Sequence, residues 1–233
     1  MQTGASNPFF LMDFIDGCVF PYPIGSATQA RLIDELKELG YSGMVSCSTG
    51  PGIHCPVARP GDFVIYPGRC IKNPSIRDIQ QEIASAGKAG AVTIVQAGEN
   101  NLNRSILTTK GVNILSELHL VQKNAFDRFC AHLAAEKGIA IEIKISPLCE
   151  LRGTPRQKVI RAYEEVLTLQ SRFEFPLVIS SGARTVTSLR SPRAIEMLLL
   201  DLGWDLNLIR SSLNTIPDLI SGNSPVRVVR EGC

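Results

Sequence analysis

Residues 16–20, Asp-Gly-Cys-Val-Phe, are the first run whose residue types and spacing come close to a catalytic motif. Metal-dependent phosphoesterase barrels often carry Asp-x-His-x-His at the end of the first strand, because paired imidazoles bind divalent metal ions. Here Cys18 and Phe20 stand at the two histidine positions, and a phenyl ring offers no ligand atom. His119 alone follows a later predicted strand. The sequence therefore predicts neither a catalytic residue nor a metal ligand in this chain.

The cysteines give little further indication of metal or redox chemistry. There are seven of them, and no two are spaced as Cys-x-x-Cys, which argues against a zinc ribbon or a dithiol site. His54 and Cys55 form the one tight pair of candidate ligands, a weak signal in a Gly/Pro-rich stretch. An odd number of cysteines in a chain with 44% hydrophobic residues favours reduced thiols packed as small apolar side chains.

A short run of small residues, Ser180-Ser181-Gly182-Ala183, ends a predicted strand and precedes Arg184. It is not Gly-x-Ser-x-Gly, and no histidine follows residue 132, so serine hydrolase chemistry has no support. Two interpretations remain. The backbone amides and the guanidinium could meet a phosphate, or the small side chains could serve close packing.

The distribution of charge indicates a possible partner. The chain has a net charge of +2, but residues 144–193 contain nine basic and four acidic residues. Several arginines fall at two predicted helix starts, where cations oppose the helix dipole, and phosphate binding would explain that placement. The alternative is a set of solvated helix faces. The candidate phosphate-binding residues are Lys144, Arg152, Arg156, Lys158, Arg161, Arg184, Arg190 and Arg193.

The elements that must position these residues alternate between short β-rich runs and amphipathic helical stretches. About seven such units, beginning with a strand over residues 11–15, predict a parallel sheet. No Gly-x-Gly-x-x-Gly follows the first strand, so a dinucleotide-binding sheet loses support. The length of 233 residues is close to the ~250 of a (β/α)₈ barrel. We therefore predict a single TIM-barrel-like α/β domain over residues 1–233, with a regular core at about 11–220 and a poorly defined C-terminal tail.

One predicted strand, residues 139–145, also indicates which way its side chains face. Four isoleucines alternate with Ala140, Glu142 and Lys144. In a barrel the isoleucines would meet the helices, while Glu142 and Lys144 would point inward, with Lys144 near the carboxyl-end mouth. An internal Glu142–Lys144 ion pair and a ligand-binding role are both compatible with this pattern.

The start of the chain and its hydropathy predict a cytoplasmic protein without a membrane span. Residues 1–8 are polar and lack a basic residue, unlike a secretory signal, and no apolar run approaches ~18 residues.

The runs at residues 177–184 (Leu-Val-Ile-Ser-Ser-Gly-Ala-Arg) and 189–193 (Leu-Arg-Ser-Pro-Arg) resemble the signature of a known family. It is the thirty-kilodalton protein subunit family of ribonuclease P, whose archaeal members are protein component 3. Supporting matches lie at residues 16–19, 36–43, 112–116 and 141–148, so the resemblance covers most of residues 11–220.

The resemblance implies a barrel related to the phosphoesterase barrels but without their metal site. It also implies an accessory role in the ribonucleoprotein that removes the 5′ leader from precursor tRNA, whose RNA subunit carries the catalytic Mg²⁺. No cofactor is expected on the protein itself. The expected partners are ribonuclease P RNA, a small partner protein, the other holoenzyme proteins and, through the holoenzyme, precursor tRNA. With this role the eight candidate phosphate-binding residues become candidate RNA-binding residues, and the family signature itself carries over to Arg184, Arg190 and Arg193. An autonomous metal-dependent phosphoesterase is the alternative.

Overall fold

The computed structural model describes residues 14–49, 62–72, 75–88 and 90–221. Within these residues seven strands pair in parallel and in chain order. The strands are β1 Ile15–Val19, β2 Gly43–Ser48, β3 Val64–Ile71, β4 Val92–Gln96, β5 Ile114–Ser116, β6 Ala140–Lys144 and β7 Leu177–Ser180. A bridge between Val19 and Ala183, with a 2.8 Å bond from Phe20 N to Ala183 O, joins the first strand to the segment after the last. The sheet thus closes at its carboxyl end into a barrel, as predicted.

Most of the helices connect the strands and cover the outside of the barrel, while Ile216 and Leu219 of the last helix pack with its inner core. Their bounds are α1 Gln29–Glu38, α2 Ile76–Lys88, α3 Asn100–Thr108, α4 Arg128–Lys137, α5 Ser146–Glu150, α6 Gly153–Phe173, α7 Pro192–Asp201, α8 Leu206–Ser212 and α9 Thr215–Ser221. Among the described residues, no helix is long and apolar enough to cross a bilayer. The prediction that residues 1–233 form one domain stays a prediction.

Two local predictions are wrong. The first strand is β1 at Ile15–Val19, shifted from the predicted 11–15, of which residues 11–13 lie outside the described part. Gly17 is a poor strand former, but a Cβ there would lie 2.3 Å from Val178 Cγ1, so barrel packing overrides its propensity. The pair Thr154-Pro155 in the sequence also predicts a helix that Thr154 caps, but α6 already begins at Gly153. Ser191, in contrast, accepts a bond from Ala194 N as the cap of α7.

The facing of β6 is confirmed. Ile141 and Ile143 belong to the outer core, which packs against the helices, whereas Ala140 belongs to the inner core of the barrel. Glu142 and Lys144 point inward and are buried. Alternating side chains of this strand therefore lie in two different environments, the layer against the helices and the interior of the barrel.

We expect Ile143→Ala to lower the free energy of unfolding by about 2–5 kcal/mol, because Ile143 is fully buried and the deletion leaves a cavity. Urea denaturation measures this loss. Ile220→Ala is the matched control, since Ile220 is 42% exposed and its truncation should cost much less. Equal costs at both positions would contradict the outer-core placement of Ile143.

Candidate nucleic-acid interface

The loops that follow β6 and β7 meet at one end of the barrel. Ser188 Oγ donates to Glu150 Oε1 at 2.9 Å, and Ser146 N donates to Ser181 O at 3.1 Å. Because the strands are parallel, these loops and the starts of α6 and α7 lie at the carboxyl-end rim, where barrel proteins place their sites. The structure thus brings both predicted basic helix starts to the same rim.

Two of the predicted arginines on this rim are held by loop carbonyls. Arg152 Nη1 donates to the carbonyls of Cys149 at 2.5 Å and Leu151 at 3.0 Å, which lie at the end of α5. Arg190 Nη1 donates to the carbonyls of Thr187 at 2.8 Å and Leu189 at 2.6 Å. A guanidinium stabilises such carbonyls by hydrogen bonding. These bonds explain why arginine occupies the two positions even without a phosphate.

The helix α6 carries cations that face a neighbouring groove. Lys158 and Arg161 are exposed and line a cavity of about 420 Å³ between α6 and the loop after β5. Lys123, which the sequence interpretation missed, lines the same groove, as does Leu120, which is 63% exposed. Lys123 lies outside the basic segment in sequence, so only the pairing of β5 with β6 brings it to α6. Arg156 is half-buried near the start of the same helix.

Arg184 and Arg193 stand on the loop after β7 and at the start of α7, and both side chains are exposed. The guanidinium of Arg184 lies over the ring of Phe20, 4.9 Å from its centroid, which holds the cation at the rim by a cation–π contact. Together with Lys158 and Arg161, these residues are exposed cations on adjacent parts of one rim. We call these four residues the rim cations.

The small residues after β7 serve packing and do not bind a phosphate. Ser181 N donates to Asp16 Oδ1 at 2.9 Å, and Gly182 N donates to Cys18 O at 3.0 Å, so both amides are already bonded. Gly182 has a φ of +65°, and a Cβ there would lie 2.7 Å from Lys144 Cγ and Cδ. Of the two interpretations of this run, the structure supports close packing.

Lys144 does not lie with the other predicted RNA-binding residues. It is 8% exposed, and its ammonium contacts Glu117 Oε1 at 3.0 Å and Glu142 Oε2 at 3.5 Å. Ser180 Oγ donates to Glu142 Oε1 at 2.6 Å. Lys144 is therefore part of an internal ion-pair network, and a phosphate outside the barrel does not reach it. The RNA contact of Lys144 stays a prediction, and this burial argues against it.

Burial and the charges of neighbouring groups together shift the pKa values of the residues in this network. Burial, opposed by Lys144, raises the pKa of Glu142 to about 7. Burial works to lower the pKa of Lys144, but the carboxylates of Glu142 and Glu117 outweigh it and raise that pKa well above its usual range. Burial and Lys144 lower the pKa of His119 to about 4, and its Nδ1 lies 3.4 Å from the Tyr163 hydroxyl. His119 is therefore a neutral packing partner of the network at neutral pH.

Residues 16–20 do not form a histidine-based metal site. Asp16 is buried and its Oδ1 accepts bonds from the amides of Ser181 and Cys18, while burial raises its pKa to about 7. Phe20 packs in the inner core. Among the described residues, one cluster of three or more possible ligands occurs, formed by Cys18, Cys47 and Cys70. His54 and Cys55 lie outside the described residues.

Comparison with solved structures supports the barrel. A chain of archaeal ribonuclease P, in a cryo-EM structure with mature tRNA, matches with a TM-score of 0.75 and 21% identity over 94% of this chain and 96% of that chain. A barrel from Listeria monocytogenes, provisionally assigned as a histidinol phosphatase, matches with a TM-score of 0.53 and 9% identity over 75% and 97%. These similarities confirm the TIM-barrel-like α/β fold.

Sequence comparison identifies the family. Ribonuclease P protein component 3 of Methanosarcina barkeri is 29% identical over 94% of both chains, and that of Methanothermobacter thermautotrophicus is 28% identical over 83% of this chain and 84% of its own. The family model described as RNase P subunit p30 matches residues 13–227. Since that match spans the whole barrel and the signature at residues 177–193, the chain belongs to the RNase P subunit p30 family.

Proposed function

We propose that this chain is an accessory protein of the ribonucleoprotein that removes the 5′ leader from precursor tRNA in the cytoplasm. In this proposal the RNA subunit carries the catalytic Mg²⁺, and the protein binds that RNA and holds no cofactor for the reaction. The chain works beside a small partner protein and the other holoenzyme proteins, and precursor tRNA is the substrate of the assembly. Family membership supports the ribonuclease P part of this proposal.

One observation carries the RNA-binding part: exposed cations of α6, of the loop after β7 and of the start of α7 lie on one rim of the barrel. Lys158 and Arg161 line the groove beside α6, and Arg184 and Arg193 lie along the next loop and helix. Phosphates dominate the affinity of proteins for nucleic acid, and guanidinium groups match phosphate oxygens in geometry. The rim cations are therefore suited to follow an RNA backbone without reading its sequence.

The alternative, an autonomous metal-dependent phosphoesterase, is supported only by the shared barrel. Its chemistry needs several imidazoles or carboxylates around a metal ion that a substrate can reach. The ligands at residues 16–20 do not meet that need, since Asp16 bonds backbone amides inside the barrel and Phe20 is apolar.

We expect the isolated protein to cleave neither precursor tRNA nor simple phosphodiesters when Mg²⁺, Mn²⁺ or Zn²⁺ is added. Cleavage by the holoenzyme reconstituted with its RNA is the positive control for the same protein preparation. Metal-dependent cleavage by RNA-free protein that disappears in Asp16→Asn would establish the phosphoesterase alternative instead.

A further inference from the structure

Three cysteines from three neighbouring strands meet inside the barrel. Cys18 lies on β1, Cys47 on β2 and Cys70 on β3, and their Sγ atoms are all within 4.8 Å of one another. Their exposed fractions are 1%, 3% and 7%. Adjacent strands are about 4.8 Å apart, so inward-facing residues at one level of the barrel can converge in this way. The three positions are far apart in sequence, and only the strand pairing unites them.

Packing against the cluster leaves room for the sulfur atoms. Cys47 pairs with Gly68 in the register of β2 and β3, and a Cβ at position 68 would lie 2.9 Å from Cys47 Sγ. The glycine therefore keeps space free beside this sulfur. Cys47 Sγ donates a weak hydrogen bond of 3.6 Å to the carbonyl of Val45. Cys130 is equally buried but stands on helix α4, away from the three.

The charged network lies directly beside the cluster. A void of about 10 Å³ is lined by Cys18 and Cys70 together with Glu117 and Lys144, and a void of this size holds about one water molecule. Three thiolates on a divalent ion carry a net negative charge, which the Lys144 ammonium opposes. Glu142 Oε2 is buried, and within the described residues its charged partner is the Lys144 ammonium at 3.5 Å. The surroundings thus supply a cation and a water-sized void next to the sulfurs of Cys18 and Cys70.

We propose that Cys18, Cys47 and Cys70 bind one thiophilic metal ion, Zn²⁺ or Cu⁺, at a structural site that ties β1, β2 and β3 together. Thiolates select these ions over Mg²⁺ and Mn²⁺. Zn–S bonds are about 2.3 Å long, which places sulfurs about 3.8 Å apart, so the three side chains need to move by less than roughly 1 Å. Three sulfurs suit trigonal Cu⁺. Zn²⁺ would take a fourth ligand, and the water-sized void offers the place for it.

This site is independent of the proposed RNA contacts. It is enclosed by the barrel and holds no histidine, so it supplies stability and not a surface for substrate. It also departs from the sequence-based expectation that the thiols pack as small apolar side chains. The metal-site proposal and the RNA-binding proposal can therefore be tested independently of each other.

The test measures metal bound to the full chain purified under anaerobic, reducing conditions. We expect about one equivalent of Zn²⁺ or Cu⁺ per chain by elemental analysis, and a chromophoric chelator should recover it on unfolding. Titrating the metal-free protein separately with Zn²⁺ and with Cu⁺ shows which of the two ions the site binds. The combined variant Cys18→Ser, Cys47→Ser and Cys70→Ser should lose this equivalent. Cys130→Ser, the same change at an equally buried cysteine, should keep it.

A spectroscopic measurement on the unaltered protein covers the case in which the combined variant does not fold. Co²⁺ added to metal-free wild type should give a sulfur-to-cobalt charge-transfer band, and Zn²⁺ should abolish that band and raise the melting temperature. Absence of both the equivalent and the band would overturn the proposal and leave the thiols as packing groups. Loss of metal in Cys130→Ser to the same extent would overturn the assignment to these three residues.

Discussion

Replacing Arg161, Arg184 and Arg193 together with alanine is expected to weaken binding to ribonuclease P RNA about 100-fold at about 0.1 M salt. Each phosphate contact contributes a slope of about 0.7–0.9 in log K against log salt, so three contacts amount to about two units. All three side chains are exposed on the carboxyl-end rim. Arg152 and Arg190 are left in place, because their guanidinium groups bond loop carbonyls and their removal would also disturb the loops. A salt series of filter-binding measurements gives both the affinity and the slope.

The matched control removes three cations from the opposite end of the barrel. Lys37, Lys137 and Arg172 lie in the last turns of α1, α4 and α6. Helices run antiparallel to the strands in this fold, so these residues stand at the amino-end rim. Their replacement with alanine changes the net charge equally but should leave the salt slope unchanged. Equal effects of the two variants would mean that net charge alone drives binding, and no effect of the first would place the RNA elsewhere.

Lys144→Met is expected to lower the free energy of unfolding at pH 8 by about 3–5 kcal/mol, because it leaves Glu117 and Glu142 without their buried cation. Methionine keeps the length of the aliphatic part, so the loss reports mainly the charge. Lys110→Met, at an exposed lysine, is the control and should change stability little. Urea denaturation followed by circular dichroism measures both variants.

The loss in Lys144→Met should depend on pH in a defined direction. Burial already raises the pKa of Glu142 from 4.5 to about 7, and removing Lys144 raises it further. A carboxyl group whose pKa is higher in the folded state stabilises the fold below its unfolded pKa, and that contribution is lost as the pH rises through the folded pKa. The difference between variant and wild type should therefore be smallest near pH 4.5 and grow as the pH passes 7. A difference that is constant with pH would mean that packing, not charge, sets the cost.

The class of fold and the facing of the clearest strand can be predicted from sequence patterns. Alternation of strands and helices predicted the parallel barrel, because each amphipathic helix needs a sheet to cover. The period of two in residues 139–145 separated the isoleucines of the outer core from Glu142 and Lys144 inside. The residue types at positions 16–20 were enough to argue against a histidine metal site, since phenylalanine has no ligand atom in any fold. These features are local or periodic, so they can be recognised in the sequence without knowledge of the tertiary contacts.

The accessibility of the polar residues, and the contacts between distant side chains, depend on how the chain folds. Lys144 and Arg184 looked alike as members of a basic segment, but one is enclosed by carboxylates and the other lies over Phe20 at the surface. Lys123 joins Lys158 and Arg161 because β5 and β6 are neighbours, and Cys18, Cys47 and Cys70 converge because β1, β2 and β3 are. The physical reason is the same in each case: burial, and therefore charge and contact, depends on strand pairing between residues that are distant in the chain, and local sequence patterns carry no record of that pairing.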